Sequence, residues 1–171
     1  MSEMDGPAEA PGAFGRLLET LCRIMALSGG AILLALAVMT VVSIAGRALF
    51  SAPIPGDFEL VEVGAAIAIF SFLPYCQLRR GNVIVDVFTI RAGPRVRGLL
   101  DALGAFVYAL IAALLAWRTF HGGANLKLYG ETTMVLRVPV WWGFVPIVPG
   151  LVLLTVVAFY TAWRSFAEVK R

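Results

Sequence analysis

From Ile24 to Gly46 the chain runs 23 residues without an ionisable side chain. At about 1.5 Å of rise per residue, a helix of that length reaches about 34 Å, enough to cross a hydrocarbon core about 30 Å thick. Three further apolar blocks follow, at about 58–78, 97–118 and 140–163. Charged residues make up 15% of the chain, against about 25% in soluble domains, and mean hydropathy is +0.86. The four blocks use about half of the 171 residues. What remains is short loops and two tails, too little for a separate catalytic domain. The expectation is an all-α integral membrane protein with four transmembrane helices, plus short interfacial amphipathic helices.

The domain layout follows. Residues 1–12, rich in Pro, Gly, Ala and acidic side chains, read as a disordered tail, 13–165 as one membrane domain, and 166–171 as a C-terminal tail. Glu3, Asp5, Glu9 and Glu19 precede or adjoin the first block, so it reads as an uncleaved span rather than a signal peptide. Phe14, Leu17, Leu18 and Leu21 recur at helical spacing with Arg16, Glu19 and Arg23 between them. That pattern predicts a turn or two of helix lying on the membrane surface. Residues 48–56 hold Ser51, Pro53, Pro55 and Gly56 and read as a turn, after which Asp57 fits a helix N-cap with Glu59 and Glu62 in the first turns. Between Asn82 and Ile90, Val83, Val87 and Ile90 share a helical face with Asp86 off it. An interfacial helix is the preferred reading there, with a short strand as the alternative. Arg97 and Asp101 stand at i, i+4 and can pair near the start of the third span. Residues 119–139, with Gly122, Gly123, Gly130 and Pro139, read as a longer loop; Trp141, Trp142 and Trp163 bracket the last span as an aromatic belt.

Orientation comes from the cations. With the N-terminus inside, Arg16, Arg23, Arg79, Arg80, Arg91, Arg95, Arg97, Arg164, Lys170 and Arg171 are cytoplasmic, against Arg47, Arg118, Lys127 and Arg137 outside. That bias predicts both termini in the cytoplasm and argues against a dual-topology dimer.

Chemistry-bearing residues are sparse. The net charge of +3 flanks apolar blocks, which fits a lipid surface and not nucleic acid. His121 is the sole histidine, which excludes a bis-histidine haem; Cys22 and Cys76 sit at span ends and read as free thiols. No catalytic set, phosphate loop or metal spacing appears, so no cofactor is expected. Glu62 is the deepest carboxylate, with Arg47 its expected partner across the turn. Small residues repeat every four positions at Ala105, Ala109 and Ala113, at Ala112 and Ala116, at Gly64 and Ala68, and at Ala31 and Ala35, as close helix packing requires. Pro146 and Pro149 predict a local kink near one end of the last span.

Three stretches together resemble the small membrane subunits of TRAP transporters, the DctQ-like family. Arg47-Ala-Leu-Phe50-Ser-Ala-Pro53-Ile-Pro-Gly56-Asp-Phe-Glu59-Leu-Val-Glu62 is similar to that family's turn between the first two spans. Gly81-Asn82-Val-Ile-Val85-Asp86-Val-Phe88 is similar to its segment after span two, with Asn82 where many members carry a histidine. Gly130-Glu131-Thr-Thr-Met-Val-Leu136-Arg-Val-Pro139-Val-Trp141 is similar to its entry to span four. The resemblance covers about residues 15–165 and implies a bacterial inner-membrane protein that is not an enzyme. Its implied partners are a large multispan permease subunit holding the substrate and sodium sites, a periplasmic binding protein that delivers an organic acid, and membrane lipids. The small subunit would brace the large one's fixed scaffold. Arg47, Phe50, Pro53, Glu59, Glu62, Asp86, Pro139 and Trp141 are the candidate subunit-contact or structural residues. The alternatives are an autonomous homodimeric exporter, which predicts a charge in the middle of a span, and an anchor or assembly subunit of another membrane complex.

Overall fold

The computed structural model describes residues 13–79 and 94–169. Four helices account for nearly all of them: α1 (Ala13–Phe50), α2 (Asp57–Leu78), α3 (Pro94–Tyr129) and α4 (Trp141–Val169). Each contains a stretch long and apolar enough to cross a membrane. α2 lies between α1 and α4, and α4 lies between α2 and α3, so the helices form a row in the order α1, α2, α4, α3. The turn between α1 and α2 and the connection between α3 and α4 sit at one end of the row, called here the turn end. The N-terminus of α1 and the C-terminus of α4 sit at the terminal end.

The row is thin, and its core is correspondingly narrow. Ala112 and Ala116 of α3 meet Ile147, Leu151 and Leu154 of α4, with Ala66, Ile67, Phe70 and Leu73 of α2 packed against them. Towards the terminal end, Leu18 and Cys22 of α1 meet Val157 of α4 beside Tyr75, Leu78, Leu153 and Tyr160. α4 is the most enclosed helix. Its open side is the stripe Val145, Val152, Val156, Phe159 and Trp163. That spacing of three, four and seven residues leaves one face for lipid or a partner.

Small residues set the helix separations. A Cβ on Gly150 would stand 2.9 Å from the Phe70 carbonyl oxygen of α2, and one on Gly29 would stand 3.0 Å from the Ser71 Cβ. Of the repeats seen in the sequence, Ala109, Ala112 and Ala116 are buried in α3, and so are Gly64 and Ala68 in α2. Ala31 and Ala35 instead lie on the open face of α1. Pro74 sits buried within α2 without ending it.

One sequence expectation changes. Residues 119–129 continue α3 rather than forming a loop. Gly122 and Gly123 are there for packing: a Cβ on Gly123 would be 2.9 Å from the Phe144 Cβ, so the pair marks where α4 crosses α3. The amphipathic segment at 14–21 is an unbroken part of α1. Leu18 is buried against α2 and α4 and the Phe14 ring meets the Tyr160 ring edge-on at 5.9 Å, while Phe14, Leu17 and Leu21 are largely exposed. The amphipathic stretch at 82–90, with Asp86, lies outside the described residues.

Candidate functional site

The polar side-chain links between one described element and another gather at the two ends of the row, and the denser set is at the turn end. α1 stops there because Ser51 takes a left-handed backbone conformation (φ 53°), and the Ala52 N–H folds back to donate to the Gly46 carbonyl at 3.1 Å. Ser43 and Arg47, one helical turn apart on α1, both face the first residue of α2. The Ser43 hydroxyl donates to Asp57 Oδ2 at 2.5 Å and accepts from the Ile54 N–H at 3.2 Å. Arg47 stands 3.5 Å from the same carboxylate oxygen, with its guanidinium 5.9 Å from the centre of the Phe58 ring.

Residues 130–140 fold over this corner as a small hairpin. Thr132 pairs with Pro139, the Thr133 N–H donates to the Val138 carbonyl at 2.9 Å, and the Val140 N–H donates to Glu131 at 3.1 Å. At the tip, the Val135 and Leu136 N–H groups both point at Glu59 of α2 and donate to its two carboxylate oxygens at 2.8 and 3.1 Å. The Leu136 side chain rests on Gly56. That glycine combines a left-handed φ of 74° with a space any Cβ would fill, so only glycine fits. A shallow apolar crevice runs between α2 and the hairpin, lined by Val63, Leu136, Pro139 and Trp142 with Glu59 and Thr133 at its rim.

The terminal end has its own pin. Arg79, just past α2, donates to the Tyr75 hydroxyl at 3.2 Å and pairs with Glu19 of α1 at 3.3 Å. The Tyr75 oxygen and then the Glu19 charge raise the Arg79 pKa still further above its already high ordinary value. Nearby, Gln77 of α2 donates to the Thr161 hydroxyl of α4 at 3.1 Å in a buried link.

Of the residues singled out from the sequence, Arg47, Glu59 and Pro139 meet at the turn end as described. Trp141 is close by, its ring 4.9 Å from the Lys127 ammonium. Phe50 and Pro53 are exposed on the turn, and Asp86 lies outside the described residues. Arg47 pairs with Asp57 and not with Glu62. Asp57 is at the mouth of the turn, while Glu62 is more than a helical turn further along α2 and on its open side. Asp57 is itself the first helical residue rather than the cap, which is Gly56. Sequence reasoning passed over Ser43 and Thr133. Ser43 is a hydroxyl four residues before an arginine, and nothing local marks it as the centre of a turn it meets only in space. Among the described residues, no three His, Cys, Asp or Glu side chains come together as a metal set.

Four membrane-length helices, joined one to another by polar side chains at their ends, define a multi-pass membrane protein. Its family is specific: residues 36–168 match the family described as "Tripartite ATP-independent periplasmic transporters, DctQ component", and the chain belongs to it. It is therefore the small membrane component of a TRAP transporter, a system that also contains a large permease and a binding protein, and it is not an enzyme. No curated protein and no solved structure matches the chain.

Proposed function

We propose that this subunit braces the large permease subunit for sodium-coupled uptake of an organic acid, delivered by a periplasmic binding protein across a bacterial inner membrane. In this reading both termini are cytoplasmic, so the turn end faces the periplasm and the terminal end the cytoplasm. The observation that carries the brace is where the ionisable side chains stand. Asp57, Arg47 and Glu59 join helices and hairpin at one end, and Arg79 and Glu19 join α2 to α1 at the other. A stiff support needs its cross-links where water and headgroups tolerate charge.

Purification of a tagged copy from its native membrane in mild detergent tests the reading. A stoichiometric large multispan partner is the expected result, and a homodimer without one would overturn it in favour of an autonomous exporter. Uptake by whole cells should require sodium and both membrane subunits. Reporter fusions after residues 90 and 130 test the orientation: the first should read cytoplasmic and the second periplasmic. Neutralising Arg79, Arg80, Arg91 and Arg95 together should blur that difference.

A further inference from the structure

α1 is one unbroken helix of 38 residues, about 57 Å long, nearly twice the thickness of a hydrocarbon core. Its ionisable side chains fix which part of it lies in that core. Between Arg23 and Arg47 the helix runs about 34 Å without a charge, and no other charge-free stretch of it is long enough to span. Arg23 therefore stands at the hydrocarbon boundary on the terminal side. Arg16 lies about 10 Å further out along the same helix, so the two arginines bracket a headgroup layer about 5–8 Å thick.

Spacings of three, four and seven residues place Arg16, Arg23, Leu27, Gly30 and Leu34 on one stripe of α1. Arg16 and Arg23 are exposed and make no ion pair among the described residues. Glu19, about one turn from each, is paired with Arg79 instead, at 3.3 Å. Three guanidiniums and one carboxylate thus share this corner, and two positive charges are left over. Below them the stripe is apolar and open. Leu27 is 66% exposed and Leu34 68%, and Gly30 leaves a notch between them, since a Cβ there would meet nothing within 4 Å.

We infer that this edge of α1 holds an anionic phospholipid, its phosphate between Arg16 and Arg23 and an acyl chain along Leu27, Gly30 and Leu34. Charge complementarity selects the occupant. The surplus of two cations favours a headgroup of net negative charge over a zwitterionic one, and a guanidinium meets a phosphate through two parallel hydrogen bonds. The charged and apolar parts of the stripe follow one another in the order of a lipid's headgroup and tail. A merely solvated basic face would carry the arginines without needing an open apolar track in line with them. The inference stands on the membrane-spanning class of the protein and is separate from the brace.

The test uses the full chain purified in mild detergent and offered equal amounts of phosphatidylglycerol and phosphatidylcholine with the same acyl chains. Native mass spectrometry counts the lipid retained. Preferential retention of phosphatidylglycerol is expected, and Arg16→Gln with Arg23→Gln should cut that preference by about fivefold for each arginine removed. Arg16→Lys with Arg23→Lys should keep most of it, and Arg118→Gln with Arg137→Gln, at the turn end, should leave it unchanged. Phosphatidylglycerol carrying a photoactivatable group on its acyl chain should label α1 near Leu27 and Leu34. Equal retention of the two lipids by the wild type, or equal loss of preference in both pairs of glutamine variants, overturns the site. So does a wild type without lipid preference whose Arg16 and Arg23 variants fail to recover the large subunit, since an acidic segment of that protein is then the occupant. The brace is decided separately, by whether wild-type protein brings down a large subunit at all.

Discussion

Gly150 of α4 lies close against the Phe70 carbonyl of α2, and Gly150→Ala is the substitution that measures how close. The new Cβ would start 2.9 Å from a backbone oxygen, whereas ordinary contact begins at 3.4 Å, so the two helices must separate by about half an ångström. The Met25 methyl, at 3.3 Å, can swing aside, but the carbonyl cannot. Nor can α2 retreat freely, because its other side is backed by α1 through Gly64 against Leu36 and Gly29 against Ser71. Overpacking of this kind costs about 1–3 kcal/mol. Alanine also returns up to about 1 kcal/mol of helix propensity, which masks part of the loss. Gly30→Ala supplies the control, since a Cβ there meets nothing within 4 Å. The difference between the two variants removes the propensity contribution and leaves the clash, a roughly 5- to 150-fold change in the unfolding equilibrium. Helix loss followed by circular dichroism, as SDS is titrated into mild-detergent micelles, reads it directly. If Gly150→Ala and Gly30→Ala unfold together within about 0.5 kcal/mol, the approach of α4 to α2 is not as close as described and the reasoning fails.

Other expectations are simpler. Ser43→Ala strands the Ile54 N–H and removes the hydroxyl from Asp57, and should cost about 1–3 kcal/mol in the same titration. Glu59→Gln leaves the hairpin amides one good acceptor instead of two charged ones; hydrogen exchange at Val135 and Leu136 should quicken several-fold while α3 and α4 exchange as before. Thr161→Val removes the acceptor of Gln77, and interhelical bonds of this kind within membranes are worth about 0.6 kcal/mol, so only a small loss is expected. Gly56→Ala should loosen the hairpin, since it combines a disfavoured φ with a clash against Leu136, and tip exchange should rise as it does in Glu59→Gln.

The four helices are legible in the sequence because a membrane span advertises itself by length and lack of charge, independently of its neighbours. The turn after Phe50 is legible because Ser51, Pro53, Pro55 and Gly56 are turn residues wherever they occur. The extent of α3 is not legible, since Gly122 and Gly123 carry the same composition whether they break a helix or let another one cross it. Only the Phe144 side chain of α4 distinguishes the two, and it is more than 20 residues away. The corner was half visible. Its charges could be counted, but Arg47 had three acidic candidates ahead of it in Asp57, Glu59 and Glu62, and the choice of Asp57 depends on how sharply the turn closes. The role of Glu59 was hidden for a related reason: its partners are backbone amides of a distant hairpin, and an amide leaves no trace in a sequence.

The three connections at the ends of the row act on different degrees of freedom. Ser43 and Arg47 on Asp57 hold the turn end of α1 to α2, and Glu19 on Arg79 holds the other end of the same pair about 30 Å away along α2. Two pins at that separation resist both tilting and sliding of α1 on α2, where one would leave a hinge. The hairpin then carries α3 and α4 to α2 through Glu59, so a displacement of the second helix pair must stretch hydrogen bonds of 2.8 and 3.1 Å. Cutting one pin should therefore leave assembly measurable. Cutting both, as in Arg47→Ala with Arg79→Ala, should weaken it by more than the separate effects combined, because only the double variant frees the helix pair to shear. Strict additivity in recovery of the complex would show that the pins act independently, and the brace would then owe its stiffness to packing alone.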